Sequence, residues 1–279
     1  MKTELETLAY GYGLLEGPRY DDLDGSLYFC DASEGGVYRI TPDAEVEVVV
    51  PRRKAVGGIV LHQDGGIVIS GRDISHIRDG SSRTVFKSTA PSLNDIFVDP
   101  QGRLLAGTVR GPHVSRDNRD PGECILIAKD ETPRDLYDGV YLPNGIALSP
   151  SGDVLYHADT GKSSVIVHNY SSTGSVSERR VLPVKGELVP DGLAVDEEGI
   201  IWVADLSGTR AVRGFSPDGE EVDRIEVPAI RPTSLSFGGP DGRDLFIVTA
   251  DNTEHPERRG TVFRLRVKTP GLIVPRTNV

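Results

Sequence analysis

The 279-residue chain is poor in cysteine, aromatic residues, positive charge and long apolar runs. Its only two cysteines, Cys30 and Cys124, have no metal-ligand spacing and are too few for a disulfide framework. They sit in the apolar runs LYFC and ECILI and read as buried free thiols. No apolar stretch reaches the ~18 residues of a membrane span. The opening MKTELETLAYGYG lacks the apolar centre of a signal peptide. A reducing, cytoplasmic setting without a membrane partner is therefore expected. Lys and Arg total 31 against 42 Asp and Glu, a net charge of −11. Such a surface repels phosphate backbones, so nucleic acid is excluded as an expected partner. Helical periodicity is nearly absent as well.

What the chain has instead is turn chemistry, with 32 glycines and 19 prolines. Short runs of Val, Ile, Leu, Tyr and Phe alternate with Gly, Asp, Asn and Pro clusters, the pattern of an all-β protein. Six stretches share one design: GLLEGPRYDDLDGSLYFCD, AVGGIVLHQDGGIVISGRD, SLNDIFVDPQGRLLAGT, LPNGIALSPSGDVLYHAD, VPDGLAVDEEGIIWVAD and RPTSLSFGGPDGRDLFIVTAD. Each opens on a key dipeptide, runs through an apolar strand to a glycine turn, and returns along a second strand. The keys begin at Glu16, Gly57, Asn94, Asn144, Asp191 and Thr233, at intervals of about 37 to 50 residues, one four-stranded blade each. EVEVVVP, RTVFKS and EVDRIEVP read as fourth strands. The expected fold is all-β: a single six-bladed β-propeller domain over 1–279. The sixth repeat has only three clear strands, and residues 3–9 are expected to supply its fourth and close the ring. Residues 268–279 have no place in this scheme.

In a propeller the first strand of each blade borders the central tunnel, so the six keys should form a ring at one mouth. Asn-Gly and Asp-Gly are common tight-turn pairs. Each repeat, however, already has its glycine turn seven to nine residues later, at Asp24-Gly25, Asp64-Gly65, Gly102, Gly152, Gly199 and Asp241-Gly242. The ring therefore collects two carboxylates and two amides, Glu16, Asp191, Asn94 and Asn144. Two unpaired carboxylates would repel, and one would take up a proton; a divalent cation removes that conflict. Hard oxygen donors without histidine point to Ca²⁺ first, with Mg²⁺, Mn²⁺ or Zn²⁺ as alternatives. His62 and His168 are expected on outer or turn positions, and His157 near the tunnel. His113 and His255, in long loops at the same mouth, are candidates for substrate contact.

At these residues the chain resembles the gluconolactonase family, with its regucalcin-like senescence marker proteins and luciferin-regenerating enzymes. The resemblance runs along essentially the whole chain and rests on LLEGPRY, SLNDIFVDPQGRLLAGT, LPNGIALSPSG with LYHADT, and VPDGLAVDEEGIIWVAD. It implies one divalent metal held by Glu16, Asn144 and Asp191, with Asn94 beside it on substrate. It also implies hydrolysis of a lactone, a small-molecule carboxylic ester. A metal acting as a Lewis acid on the carbonyl fits that reaction, with Asp191 as general base, or less favourably as nucleophile. Altered chemistry on the same propeller (phosphotriester hydrolysis, a lyase or isomerase step) and a non-catalytic ligand-binding scaffold are the alternatives.

The chain departs from the sugar-lactone pattern at Ser92, where those members commonly carry Arg. The loop VRGPHVSRDNRDPGE, with Arg110, His113, Arg116 and Arg119, is long enough to be a functional lid. Arg110 and His113 are its expected substrate contacts, and DNTEHPERRG is expected on the opposite rim. A carboxylate-bearing or aromatic lactone is the expectation for the substrate.

Overall fold

The computed structural model describes residues 4–111 and 120–279. Its strands form six four-stranded antiparallel sheets, arranged as a six-bladed β-propeller. The first strands of the blades are Leu15–Asp21, Ile59–Leu61, Ser92–Val98, Pro143–Leu148, Pro190–Val195 and Pro232–Gly238. They follow the register of the six keys. Outer strands behave as solvated edges: Val46–Pro51 and Glu221–Glu226 are mostly exposed, whereas the second strands are buried almost throughout. Cores lie between blades, where the apolar faces of neighbouring sheets meet.

The sixth sheet closes the ring as expected. Glu6–Tyr12 pairs antiparallel with Gly260–Arg266, aligning Thr7 with Phe263 and Tyr12 with Gly260. Arg264 clasps Glu6 across this seam at 2.6 Å. Cys30 and Cys124 are both free and buried. Among the described residues no helix is long and apolar enough to cross a membrane.

The C-terminal segment, which the repeat pattern leaves without a place, is a strap across the face opposite the keys. Gly271 N–H donates to Gly242, and Leu272 N–H to Val195. Thr277 N–H donates to Leu61, and Asn278 N–H to Gly102. The segment thus runs from the turns of blades six and five, across the axis, to those of blades two and three. Arg276 fastens it to Asp21 and Asp22, each at 2.6 Å. Gly271 is required where the strap passes Phe237, because a Cβ there would lie 1.7 Å from the ring.

Candidate functional site

Five of the six first strands carry a register break at their key: between Glu16 and Arg19, Leu93 and Ile96, Pro143 and Ile146, Pro190 and Leu193, and Pro232 and Ser234. Such bulges take residues off the ladder and re-aim their side chains. The keys consequently meet around the axis. Asn94 Nδ2 donates to Asn144 Oδ1 at 2.6 Å and to the Pro143 carbonyl at 2.8 Å. Asn144 Nδ2 donates to Thr160 Oγ1 at 2.8 Å, and Thr160 in turn donates to the Pro190 carbonyl at 2.5 Å. Thr233 Oγ1 donates to the Leu15 carbonyl, also at 2.5 Å. These bonds tie blades three to four, four to five and six to one. Gly57 closes the circuit by absence, since a Cβ there would strike Asn94 Oδ1 at 2.1 Å.

The connections leading into the ring are held by a repeated device. The aspartate at the end of a second strand, or just beyond it, accepts backbone N–H groups from the segment ahead of the key. Asp31 takes Gly13, Asp159 takes Tyr141 and Leu142, Asp205 takes Val189, and Asp251 takes Ile230. Hydrogen bonds to an ionised acceptor are the stronger kind, so each fixes the entry angle of a key strand.

Electrostatically the ring is an acid pair surrounded by protein. Burial pushes the Glu16 carboxyl well above its ordinary range, and Asp191 and Asp95 add to the shift. Asp191 is likewise raised, by burial first and then by Asp95, with hydrogen bonding from Asn144 partly offsetting it. Glu16 keeps part of its surface accessible, whereas Asp191 is buried. Neither carboxylate has an ion-pair partner among the described residues. The donors are hard oxygens, and Asn144 Oδ1 is already oriented by Asn94. This set suits a hard divalent cation, which would relieve the repulsion. No group of three or more His, Cys, Asp or Glu side chains able to hold a metal occurs among the described residues.

Residues 14–251 match the family described as the SMP-30/Gluconolactonase/LRE-like region. This chain belongs to that family. Relatives within reach of the SMP-30/gluconolactonase members include the pentonolactonase XacC of Haloferax volcanii, 28% identical over 275 residues, covering 92% of this chain and 91% of that one. The 6-deoxy-6-sulfogluconolactonase of Pseudomonas putida is 29% identical over 276 residues, 93% of each chain. A luciferin-regenerating enzyme shares the fold with a TM-score of 0.87 at 24% identity, over 99% of this chain and 100% of that one. The resemblance read from the key motifs thus holds at the level of the family.

Within this SMP-30/gluconolactonase chain, a second ring lies one residue beyond the keys: Gly17, Gly58, Asp95, Gly145, Gly192 and Ser234. Backbones crowd there. A Cβ at Gly145 would lie 2.2 Å from Leu193 N, and one at Gly192 2.3 Å from Ser234 Oγ. Asp95 is the one charged member, its carboxyl raised to about 6 by burial and drawn back by Arg19. Arg19 spends its Nε on the Ile59 carbonyl at 3.0 Å. Sequence reasoning missed both residues. The signal was available, because repeat three alone puts a carboxylate where four others put glycine.

The histidines need correction. His62 and His168 are not surface residues; they are 3% and 4% exposed. His62 stacks on His76 with centroids 4.0 Å apart and meets the Val279 carbonyl under the strap. His157 is buried away from the tunnel, between blades three and four, where its Nδ1 lies 2.7 Å from the Tyr137 hydroxyl. His255 stands in a groove with Glu4, Arg210 and Phe263, on the outer rim between blades five and six. Arg110 bonds Glu123 at 2.8 Å and lines a shallow pocket with Lys54, Arg72 and Ser92. His113, Arg116 and Arg119 lie outside the described residues.

Proposed function

We propose that this protein is a lactonase whose tunnel-mouth ring holds one divalent metal through Glu16, Asn144 and Asp191. It is a carboxylic ester hydrolase of the lactone-opening type, in keeping with its family and with the lactonase names of its relatives. The observation that carries the metal reading is the acid pair itself: Glu16 is pushed up by burial, Asp191 and Asp95, and Asp191 by burial and Asp95, beside an amide whose oxygen is already oriented. Calcium is the first choice, because carboxylate and amide oxygens without a histidine match its preference.

A bound divalent cation supplies Lewis-acid polarisation of the lactone carbonyl. Asp191 takes the proton from the attacking water as its oxygen bonds to the carbonyl carbon. It returns that proton to the ring oxygen as the ester bond breaks. Glu16 and Asn144 hold their donors in position. Asn94 fixes the Asn144 amide through its Nδ2 and contacts substrate from the same ring. Above the ring, Lys54 and Arg72 put cationic charge beside Ser92, next to Arg110 paired with Glu123, a rim suited to a lactone bearing a carboxylate or another anionic group. His113, expected from the sequence as a further substrate contact, lies outside the described residues. The partner is a small molecule, and the buried free thiols suit a cytoplasmic setting.

The test is a hydrolysis screen of metal-reconstituted protein against neutral sugar, aliphatic, aromatic and carboxylate-bearing lactones, with a phosphotriester included. Asp191→Asn keeps the side-chain size but removes the base. It should lower kcat for any lactone turned over by about 10²-fold or more. A variant as fast as wild type would remove Asp191 from the mechanism, and turnover of the phosphotriester alone would move the chemistry elsewhere.

A further inference from the structure

Each of the three proposed metal ligands follows a carbonyl that a neighbouring blade clamps. Before Glu16, the Leu15 carbonyl accepts from Thr233 Oγ1 of blade six at 2.5 Å. Before Asn144, the Pro143 carbonyl accepts from Asn94 Nδ2 of blade three at 2.8 Å. Before Asp191, the Pro190 carbonyl accepts from Thr160 Oγ1 of blade four at 2.5 Å. A carbonyl and the N–H that follows it share one rigid peptide plane, so fixing the oxygen fixes the bond leading into the ligand residue. The clamps stand where ladder bonds give out. Asn144 and Asp191 fall inside register breaks, and Glu16 borders the break in its own strand. At Gly57, which has no side chain to aim, the preceding Val56 carbonyl receives only the Cys30 thiol, a weaker donor, at 3.2 Å.

The threonine of blade four stands out against its own repeat. Ala32, Thr160, Leu206 and Ala250 hold one register position: the N–H of each donates to the carbonyl two residues before a key, at Leu14, Leu142, Val189 and Arg231. That backbone bond forms with alanine or leucine as well, so the fold does not call for a hydroxyl there. Thr160 is buried, and its one hydroxyl proton goes to the Pro190 carbonyl, which can only accept. Towards Asn144 the same oxygen can then only accept. The amide must turn Nδ2 to Thr160 and Oδ1 away, to where Asn94 meets it. One directed chain of bonds thus runs from Asn94 through Asn144 and Thr160 to the residue before Asp191. Thr233, equally buried, reaches Leu15 across the seam between blades six and one; its longer contact, to the Val248 carbonyl at 3.1 Å, stays within its own blade.

We propose that Thr160 and Thr233 are positioning residues of the metal ring, acting through their hydroxyls. Thr160 sets the Asn144 amide and the peptide entering Asp191, and Thr233 sets the peptide entering Glu16. Both act through the ligands and supply no donor of their own. The inference rests on the metal reading above.

Calorimetric titration of Ca²⁺ into chelator-stripped full-length protein reads the effect, with Tm of each stripped variant measured beside it. Thr160→Val keeps the branched shape and removes the hydroxyl. It should weaken binding by about 10- to 100-fold, the range for groups that orient ligands. Thr233→Val releases a single peptide and should weaken binding by roughly 2- to 10-fold, the equivalent of one hydrogen bond. Thr160→Ser and Thr233→Ser keep the hydroxyl and should bind as wild type does. Thr249→Val is the control, because that hydroxyl is also buried and donates to the Asp251 carbonyl at 2.7 Å, which precedes no ligand. It should lower Tm as the other valine variants do and leave affinity unchanged. Wild-type affinity in folded Thr160→Val, an equal loss in Thr249→Val, or failure of serine to retain binding would overturn the proposal while leaving the metal reading in place. No divalent binding by wild type would overturn both.

Discussion

Asn94 Nδ2 lies 2.6 Å from Asn144 Oδ1, and this single bond joins the key residues of blades three and four. Its consequence is orientational. With one lone pair of the Asn144 oxygen engaged by Asn94, and its nitrogen held by Thr160, the remaining lone pair has a fixed direction. In the proposed mechanism Asn94 therefore acts on the metal site through Asn144 as well as contacting substrate. Asn94→Ala should weaken divalent-metal affinity by about 10- to 100-fold, the range for residues that orient a ligand. Calorimetric titration of metal into stripped protein measures this directly. A purely substrate-binding role for Asn94 would leave that affinity untouched and raise KM alone.

The strap makes a stability prediction. Leu272 and Val274 pack against the inter-blade cores, and Arg276 is paired with two aspartates. Burying an aliphatic side chain contributes about 1.5–3 kcal/mol. Two such side chains give about 3 kcal/mol or more, and at about 2–4 °C per kcal/mol for a domain approaching this size, truncation after Lys268 should lower Tm by about 6 °C or more. Thermal denaturation followed by circular dichroism decides the point. An unchanged Tm would mean that the segment merely rests on the surface.

His157 carries a pH dependence of definite sign. Burial, with His168 and Arg179 nearby, lowers its pKa from 6.5 to about 3, so the folded protein keeps it neutral where the unfolded chain protonates it. The unfolded state binds more protons between these values, and stability is lost as pH falls from 6.5 towards about 3. At its steepest this contributes about 1.4 kcal/mol per pH unit. His157→Gln removes the titration, so its stability should decline less steeply than that of wild type over that window. Denaturant midpoints at pH 4, 5, 6 and 7 for the two proteins would show it, and parallel profiles would contradict it.

The fold was legible because a propeller repeats its instructions. Six keys in one register, each followed by an apolar strand and a glycine turn, specify six inner strands, and the one sheet edge left open is completed by Glu6–Tyr12, three residues further along than the expected 3–9. The same register brought Glu16, Asn94, Asn144 and Asp191 together, separated in sequence by as many as 175 residues. What the pattern could not carry was anything that breaks it. The strap has no periodicity, and its place depends on backbone bonds to turns in four different blades. His62 looked superficial because its burial comes from Val279, at the other end of the chain. Asp95 was hidden in plain view inside SLND, where attention to the key residue masked the charge beside it.

The central claim is that lactone opening depends on a divalent ion held by the ring. The most direct measurement is the hydrolysis rate of chelator-stripped protein before and after one equivalent of Ca²⁺ is returned, with Mg²⁺, Mn²⁺ and Zn²⁺ in parallel. The account predicts negligible turnover by stripped protein, recovery with one equivalent of a divalent ion, and no recovery in a folded Glu16→Gln variant at the same metal concentration. Full turnover by stripped wild-type protein, or equal recovery in Glu16→Gln, would contradict it.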